Sequence, residues 1–308
     1  MKKGFIITTL VFIFSSIILT ACQAPVAKTT SNTLKVIAAE SFMADIAANV
    51  AGDRAAVESL MPLGMDPHAF EPVPSDVAKI ANSPIIIING GGIEGWLEKM
   101  IENAGGEHLV IEASSGLKSR TAGEGEVLPD ETGGDPHFWL DPISVIHYVE
   151  NIRDGLIKVD PEGKDIYTQN AAAYSTKLKE LDAALREQAQ SIPAEKRLIV
   201  TNHESFGYFA DRYDFKIIGT IVPGVSSGAS PSAQQLARLV DHIKATGATA
   251  IFLETGTNPQ LAEQVAKETG IKVVTDLYTH SITVPDGPAP TYIDMMKYNM
   301  SRIIENLK

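Results

Sequence analysis

Three histidines and one aspartate follow or end predicted β-strands. His68 and His137 each close an Asp-Pro-His tripeptide, while His203 and Asp276 each close a hydrophobic, β-rich run. Ligands of open α/β sheets bind just beyond the carboxyl ends of the strands, so we expect these four side chains to converge on one cleft. Two of them come from each half of the chain, which places that cleft between two lobes. Three imidazoles and one carboxylate form a complete ligand set for a borderline cation such as zinc.

The residues beside these candidates suggest how the ligands are held. Proline fixes its own φ and restricts the residue before it, so each Asp-Pro-His imidazole projects from stiffened backbone. We expect Asp66 and Asp135 to accept the second ring N–H of the histidine that follows, as carboxylates commonly do behind a metal-bound imidazole. Glu204 stands beside His203 as a spare base. We expect Trp139 to shield the cleft.

Short β-rich runs alternate with helical patterns along the whole chain after residue 33. Such alternation predicts parallel sheets covered by helices, and therefore an α/β fold with two parallel-sheet lobes. The predicted strands are Leu34–Ala39, Ala56–Met61, Pro84–Asn89, Leu109–Ala113, Arg197–Asn202, Lys216–Ile221, Ala250–Leu253 and Lys272–Thr275. The clearest predicted helices are Ser41–Val50, Ile93–Asn103, Ser232–Ala245, Pro259–Thr269 and Pro290–Leu307.

One uninterrupted helical pattern over 162–191 divides the two halves. Its apolar residues recur at steps of three and four, and no proline or glycine breaks the pattern between Gly163 and Pro193. At 1.5 Å per residue such a helix spans roughly 40 Å, so we interpret it as a rigid link between an N-terminal lobe (34–161) and a C-terminal lobe (192–308). A coiled-coil dimer is the alternative, although we expect a monomer.

The first residues have the pattern of a secretory signal. Lys2 and Lys3 precede an apolar run that ends in Leu19-Thr20-Ala21-Cys22, which resembles a bacterial lipobox. We therefore predict a lipoprotein signal peptide over 1–21, a lipid attached to Cys22, and a small, polar, flexible leash over 22–33. The mature protein is expected on the outer face of the cell membrane, anchored in the lipid bilayer. An uncleaved N-terminal anchor helix is the alternative.

Composition excludes several classes of protein. The chain has 308 residues, 44% of them hydrophobic, which is long enough for two lobes with a core each and too apolar for disorder. A single cysteine excludes a disulfide scaffold and any thiolate metal cluster. With 26 basic against 38 acidic residues and no basic run, nothing supports a nucleic-acid partner.

Five motifs together resemble the metal-specific solute-binding lipoproteins of bacterial ABC transporters, the TroA-like zinc and manganese receptors. They are GMDPHAFEP around His68, DPHFWLDP around His137, TNHESFGYF around His203, FLETG around Glu254 and TYIDMMKYN near the C-terminus. The resemblance implies two α/β lobes bridged by one long helix. It also implies no enzymatic activity, an ABC permease as partner, and one metal ion held by His68, His137, His203 and Asp276.

The resemblance leaves zinc favoured and manganese as the alternative. Some manganese-preferring members have a glutamate where this chain has His203, and nitrogen-rich sites suit zinc while manganese favours oxygen. One feature departs from the zinc receptors, which often carry a histidine-rich acidic loop between the first two ligands. The corresponding stretch here, 117–134, has Glu124, Glu126, Asp130 and Glu131 but no histidine.

Three enzymatic alternatives have some support in the sequence. The run Gly90–Gly95 satisfies GxGxxG after a predicted strand, with Glu112 further on, as in an NAD-dependent oxidoreductase. The run Gly224–Gly228 satisfies GxSxG and is followed by Asp276 and His280 in the order of a serine hydrolase. The histidine cluster itself would suit a zinc hydrolase, but four protein ligands leave no open position for a water molecule. Outside this hydrolase order, we interpret His280 as a structural residue.

Overall fold

The structure is a computed structural model that describes residues 33–120 and 134–308. The predicted signal peptide, Cys22, nearly all of the predicted leash and the acidic residues between Glu124 and Glu131 lie outside these ranges. Within the described residues, no helix is both long enough and apolar enough to cross a bilayer.

Eight strands and nine helices alternate along the described chain. The strands are β1 Leu34–Ala38, β2 Ala55–Ser59, β3 Ile85–Ile88, β4 Leu109–Glu112, β5 Leu198–Thr201, β6 Lys216–Thr220, β7 Ala250–Glu254 and β8 Lys272–Leu277. The helices are α1 Ser41–Ala51, α2 Pro74–Ala81, α3 Leu97–Ala104, α4 Pro142–Val159, α5 Lys164–Gln190, α6 Gly207–Tyr213, α7 Ala233–Thr246, α8 Gln260–Thr269 and α9 Tyr292–Leu307.

The strands form two four-stranded parallel sheets with the same topology. The order is β2-β1-β3-β4 in the first sheet and β6-β5-β7-β8 in the second. In each sheet the chain reverses its winding direction next to the first strand, between β1 and β3 or between β5 and β7. Such switch points leave a crevice at the carboxyl ends of the strands, where α/β proteins bind their ligands. The predicted two-lobe α/β fold is confirmed.

Side-chain alternation in the strands explains how the two sheets are packed. In β1, Val36 and Ala38 face one core while Ile37 between them faces another, and in β7 Phe252 and Leu253 divide in the same way. The inner faces of both sheets share one continuous hydrophobic core, and each outer face has a smaller core of its own. The lobes are therefore not packed around separate cores, as their size alone had suggested.

Helix α5 contributes its apolar face to the shared core. It packs against α1 and α4 on one side and against α6 and α9 on the other. Arg212 of α6 donates to Asp182 of α5, which ties the second lobe to this helix. The apolar stripe recognised in the sequence is buried: Tyr167, Ala171, Tyr174, Leu178, Leu181 and Leu185.

Helix α3 begins later than its sequence pattern predicts. The predicted start at Ile93 falls in a turn, and the helix begins at Leu97. The preceding glycines, Gly90, Gly91 and Gly92, all have positive φ values of 86°, 65° and 86°. Three successive left-handed residues turn the chain sharply, and the helix cannot begin until the backbone returns to right-handed geometry.

Candidate metal centre

Four imidazoles meet at the carboxyl ends of the two sheets. His68 lies in a single 3₁₀ turn after β2, and His137 directly precedes another 3₁₀ turn after β4. His203 follows β5 and His280 follows β8. One ring nitrogen from each lies within 4.8 Å of one from every other, and only His68 is partly exposed. Each lobe thus contributes two imidazoles.

The four rings are arranged as a nearly regular tetrahedron. Their six pairwise centre-to-centre distances fall between 5.1 and 5.7 Å. The Nε2 atom of His137 lies 3.3 Å from the Nε2 atoms of both His68 and His203. Four nitrogens about 2.0–2.1 Å from a central zinc ion are separated by about 3.3–3.4 Å in an ideal tetrahedron. The Nε2 atom of His280 is also buried and has no hydrogen-bond partner within residues 33–120 and 134–308.

The structure corrects the fourth member of the predicted set. Asp276 does not lie with the three predicted histidines, and His280, interpreted from the sequence as a structural residue, takes its place. The Oδ2 atom of Asp276 instead accepts hydrogen bonds of 2.8 Å from Tyr298 and Arg302 of α9. The Asp276 side chain is 37% exposed.

A β-bulge explains why the end of β8 was misread. Phe252 pairs with Val274 and Glu254 with Leu277, so β8 advances three residues while β7 advances two. The extra residue interrupts the alternation of β8 close to Asp276, and bulges commonly redirect side chains beside functional sites. The strand also continues to Leu277, so the loop that reaches the cleft starts later and brings His280 there.

Asp135 holds His137 from behind. Its Oδ1 atom accepts hydrogen bonds of 2.9 Å from both the backbone N–H and the Nδ1 atom of His137. Arg120, whose side chain is 8% exposed, lies 3.9 Å from the other carboxylate oxygen and pairs with Asp211 of α6. With Nδ1 donating to a carboxylate, Nε2 of His137 keeps its lone pair for the centre of the cluster.

Glu254 contacts two imidazoles at once. Its Oε1 atom lies 3.2 Å from Nδ1 of His203, and its Oε2 atom lies 3.3 Å from Nδ1 of His280. Ser205 also donates to Oε1 over 3.0 Å. The sequence analysis noted Glu254 only as part of a family motif. Its position at the carboxyl end of β7, next to the switch point, is the signal that could have identified it.

Asp66 contacts the backbone of His68 rather than its imidazole, and Glu204 accepts a hydrogen bond from β6. Asp66 accepts a 2.9 Å hydrogen bond from the backbone N–H of His68, and its other oxygen accepts one from Ser227 of the second lobe. The Oε1 atom of Glu204 accepts a 3.3 Å hydrogen bond from Thr220 on β6. Asp66 thus stabilises the turn that carries His68 and links the two lobes.

Trp139 packs beside the imidazoles and anchors the loop that carries His280. Its ring centre lies 5.1 Å from that of His137 and 5.7 Å from that of His280. Its indole N–H donates a 2.6 Å hydrogen bond to the carbonyl of Thr279, and its other face stacks on Phe42. Trp139 is fully buried, so it closes one side of the cluster to water.

Burial favours the neutral, lone-pair-donating form of His68 and His137, whereas the charges near His280 act in the opposite direction. Burial, together with the neighbouring imidazoles, lowers the pKa of His68 to about 3 and the pKa of His137 well below its usual value. Burial also opposes the protonation of His280, but the charge of Glu254, hydrogen bonding to Glu254 and the charge of Asp66 together outweigh it and raise the pKa of His280. Burial opposes ionisation of Glu254, yet His203 and His280 hold its pKa well below the usual range. Glu254 is therefore a carboxylate at neutral pH.

A cavity of about 600 Å³ adjoins the cluster on one side. Both lobes line it, with Asp66 on one wall, Ser227 on the other, and Glu254 and His280 among the lining residues. The hydrogen bond between Asp66 and Ser227 crosses from lobe to lobe in this lining. The cavity is large enough for a hydrated ion and reaches one of the four imidazoles, that of His280.

The GxGxxG run does not form a dinucleotide-binding turn. Glu94 accepts hydrogen bonds from the backbone N–H groups of Asn89 and Gly90, and Glu112 accepts one from Gly91. The N–H groups that a pyrophosphate would need are therefore bonded to carboxyl oxygens of the chain itself. Helix α3 also begins too late to point its N-terminus at these glycines. The oxidoreductase alternative is not supported.

The GxSxG run does not form a nucleophile elbow either. A nucleophile elbow requires a strand that turns directly into a helix at the serine. Here α7 begins only at Ala233, after Ser232 caps it, so Ser226 lies in a loop. His280 meanwhile faces the other imidazoles. The hydrolase alternatives lack the geometry that they need.

Two buried glutamates, Glu40 and Glu94, lie near the strand ends of the first sheet, apart from the imidazole cluster. Burial raises the pKa of Glu40 well above its usual value, and the charge of Glu94 raises it further. Burial likewise raises the pKa of Glu94 to about 7, although hydrogen bonds to its carboxylate oppose this shift. The folded protein therefore favours protonated carboxyls at this position.

Comparisons with known proteins identify the family of the chain. The family described as zinc-uptake complex component A, periplasmic, matches residues 36–306. The manganese ABC transporter substrate-binding lipoprotein PsaA of Streptococcus pneumoniae is 34% identical over 307 residues, covering 97% of this chain and 98% of that protein. The iron-binding protein YfeA of Yersinia pestis is 35% identical over 291 residues, covering 94% of this chain and 92% of that protein.

The fold agreement extends to solved structures. The periplasmic zinc-binding protein TroA of Treponema pallidum superposes with a TM-score of 0.80 at 27% identity, covering 89% of this chain and 99% of that one. These similar proteins are named for manganese, iron and zinc, so their names alone do not identify the metal. The chain belongs to the ZnuA/TroA family of metal-binding, substrate-binding proteins of ABC transporters, whose members are not enzymes.

Proposed function

We propose that this protein captures one zinc ion between its lobes, outside the cytoplasm, and delivers it to an ABC permease. The observation that carries the proposal is the tetrahedral cluster of His68, His137, His203 and His280. In this assignment each imidazole binds through Nε2, and the metal is cargo that must later be released. Manganese is the alternative cargo.

The donor set favours zinc over manganese. Imidazole nitrogen suits zinc, whereas manganese, calcium and magnesium favour carboxylate, carbonyl and water oxygen. The two nearest carboxylates, Asp135 and Glu254, contact the Nδ1 atoms behind the imidazoles. Zinc has no ligand-field preference and is readily held by four ligands in a tetrahedron. A site with four nitrogen ligands therefore lacks the oxygen ligands that manganese prefers.

Elemental analysis and competition test this proposal. Protein from residue 23 onward, purified without added metal and then loaded, is expected to hold about one zinc ion per chain. Equimolar zinc and manganese should yield the zinc form, and a large excess of manganese should not displace it. Preferential retention of manganese would contradict the choice of cargo, and binding of neither metal would contradict the function.

We also propose that a lipid on Cys22 tethers the mature chain to the outer face of the membrane, beside the permease. The lipobox-like residues Leu19–Cys22 and the lipoprotein relatives support this assignment. The variant Cys22→Ser should be released into the medium or the periplasm, as measured by fractionation and immunoblotting. Continued retention in the membrane would indicate an uncleaved anchor helix instead.

A further inference from the structure

We propose that Glu254 is a positioning residue that sets the tautomers of two metal-binding imidazoles, His203 and His280, at the same time. This inference rests on the proposed function, because it assigns to Glu254 a role in the metal site. The assignment begins from geometry. One carboxylate oxygen lies 3.2 Å from Nδ1 of His203 and the other lies 3.3 Å from Nδ1 of His280.

The fold prepares Glu254 for this role. Glu254 is the last residue of β7 and is 5% exposed, and the bulge in β8 lies directly beside it. The backbone of the next residue, Thr255, donates to the carbonyl of Leu277, which fixes the strand ends together. The hydroxyl of Ser205 donates to Oε1, so the carboxylate is also held from the side of β5. The carboxylate is therefore rigid before any metal arrives.

The chemistry of the carboxylate determines the tautomers. An ionised carboxylate only accepts hydrogen bonds, so it favours the tautomer in which a neutral imidazole facing it carries its proton on Nδ1. In its neutral form, which metal binding requires, each imidazole then presents an unprotonated Nε2 to the centre of the cluster. The rings of His203 and His280 are stacked, with an interplanar angle of 15°, as expected if one group orients both. The Thr279 hydroxyl, 3.0 Å from Nδ1 of His280, can accept from the same proton.

Glutamine at this position cannot serve both imidazoles. A Glu254→Gln side chain has the same shape, but it offers one accepting oxygen and one donating NH₂ group. The imidazole that faces the NH₂ group must accept on Nδ1 and carry its proton on Nε2, where it blocks the metal. One substitution should therefore remove one of the four nitrogen ligands without deleting any histidine.

Asp135→Asn is the matched control. The backbone N–H and the Nδ1 atom of His137 both donate to the same oxygen of Asp135, so one amide oxygen can replace it. This variant also neutralises a buried carboxylate behind an imidazole, but it preserves the tautomer. Asp135→Asn also removes the carboxylate that faces Arg120, so loss of charge alone should weaken it at least as much as Glu254→Gln, whereas tautomer control predicts a larger effect for Glu254→Gln.

The test compares wild type, Glu254→Gln and Asp135→Asn in the full mature chain. Zinc affinity is measured by competition with a chelator, and urea unfolding in EDTA checks that each variant folds. Outer-shell substitutions typically weaken metal binding 10- to 100-fold, and we expect that loss for Glu254→Gln and a smaller one for Asp135→Asn. X-ray absorption should count three imidazoles instead of four in Glu254→Gln, and ¹⁵N NMR should show one imidazole protonated on Nε2.

The outcomes separate this inference from the proposed function. A wild-type protein that binds no transition metal overturns the function itself. A wild type that binds zinc, with Glu254→Gln equal to it in affinity and imidazole count, overturns only the role of Glu254. Equal losses in the two variants also overturn it, because charge rather than tautomer would then explain the effect.

Discussion

Substitutions of His280 and Asp276 should differ in their effect on zinc affinity, because His280 lies in the imidazole cluster and Asp276 does not. Removing the outer-shell partner of a ligand costs 10- to 100-fold in affinity, so removal of a direct ligand should cost at least the upper figure. His280→Ala is therefore expected to raise the zinc dissociation constant at least 100-fold, which corresponds to about 2.7 kcal/mol. Asp276→Ala should leave the dissociation constant unchanged, because Asp276 pairs with Arg302 and Tyr298 instead.

Thermal unfolding converts this difference into a measurable shift. Zinc at 1,000 times the wild-type dissociation constant stabilises the folded state by about 4.1 kcal/mol. At about 2.1 cal/mol/K of unfolding entropy per residue, a chain of this length gains about 1.7 °C in Tm per kcal/mol, so zinc should raise the wild-type Tm by about 7 °C. At the same zinc concentration His280→Ala retains about 1.4 kcal/mol, or about 2 °C.

The control variant Asp276→Ala is expected to lose little stability in the metal-free protein. The ion pair of Asp276 and Arg302 is about one third exposed on each side, so its loss should cost about 0–1 kcal/mol in the metal-free protein. Asp276→Ala should therefore begin from a slightly lower Tm and still show the full shift with zinc. The reasoning is refuted if Asp276→Ala loses the zinc-dependent shift while His280→Ala retains it.

Three further predictions concern pH, release and packing. The raised pKa of buried Glu40 stabilises the fold below the unfolded value near 4.5, and this stabilisation is lost as pH rises through the folded pKa. The free energy of unfolding in urea of the metal-free wild type should therefore fall more steeply from about pH 5 to pH 8 than that of Glu40→Gln. Parallel pH curves for the two proteins would contradict this. Ser227→Ala removes the hydrogen bond to Asp66 that links the two lobes, which is worth about 1.5 kcal/mol. Stopped-flow chelation should therefore show zinc release up to about tenfold faster. An unchanged rate would show that this contact does not restrain release. Gly155→Ala places a methyl group against Ile111 in the shared core. It should lower the free energy of unfolding in urea by about 1–3 kcal/mol and leave the zinc affinity unchanged. An unchanged free energy of unfolding would show that α4 can shift to make room.

The sheets could be predicted from sequence because their signals are local. Every strand of both sheets coincides with a β-rich run, since buried parallel strands require continuous apolar residues. The helices α2, α4 and α6 lacked an equally clear pattern and were not predicted. The start of α3 was misplaced because its position depends on the three glycines before it, which the helical pattern does not reveal.

The site could be predicted in part for the same reason. His68, His137 and His203 follow recognisable motifs, and the structure brings them together. His280 depends on contacts between distant parts of the chain. The loop that carries it is held by a hydrogen bond from Trp139, 140 residues earlier, and the bulge in β8 arises from pairing with β7. Neither contact leaves a periodic signal in the sequence.

The most direct test of the central claim is X-ray absorption spectroscopy of the zinc-loaded protein. Four imidazoles in a tetrahedral cluster predict four nitrogen scatterers at about 2.0–2.1 Å, with the multiple-scattering pattern of four histidine rings. A shell with three imidazoles and a carboxylate oxygen would contradict the assignment of His280. A zinc ion with two or fewer imidazoles would contradict the site itself.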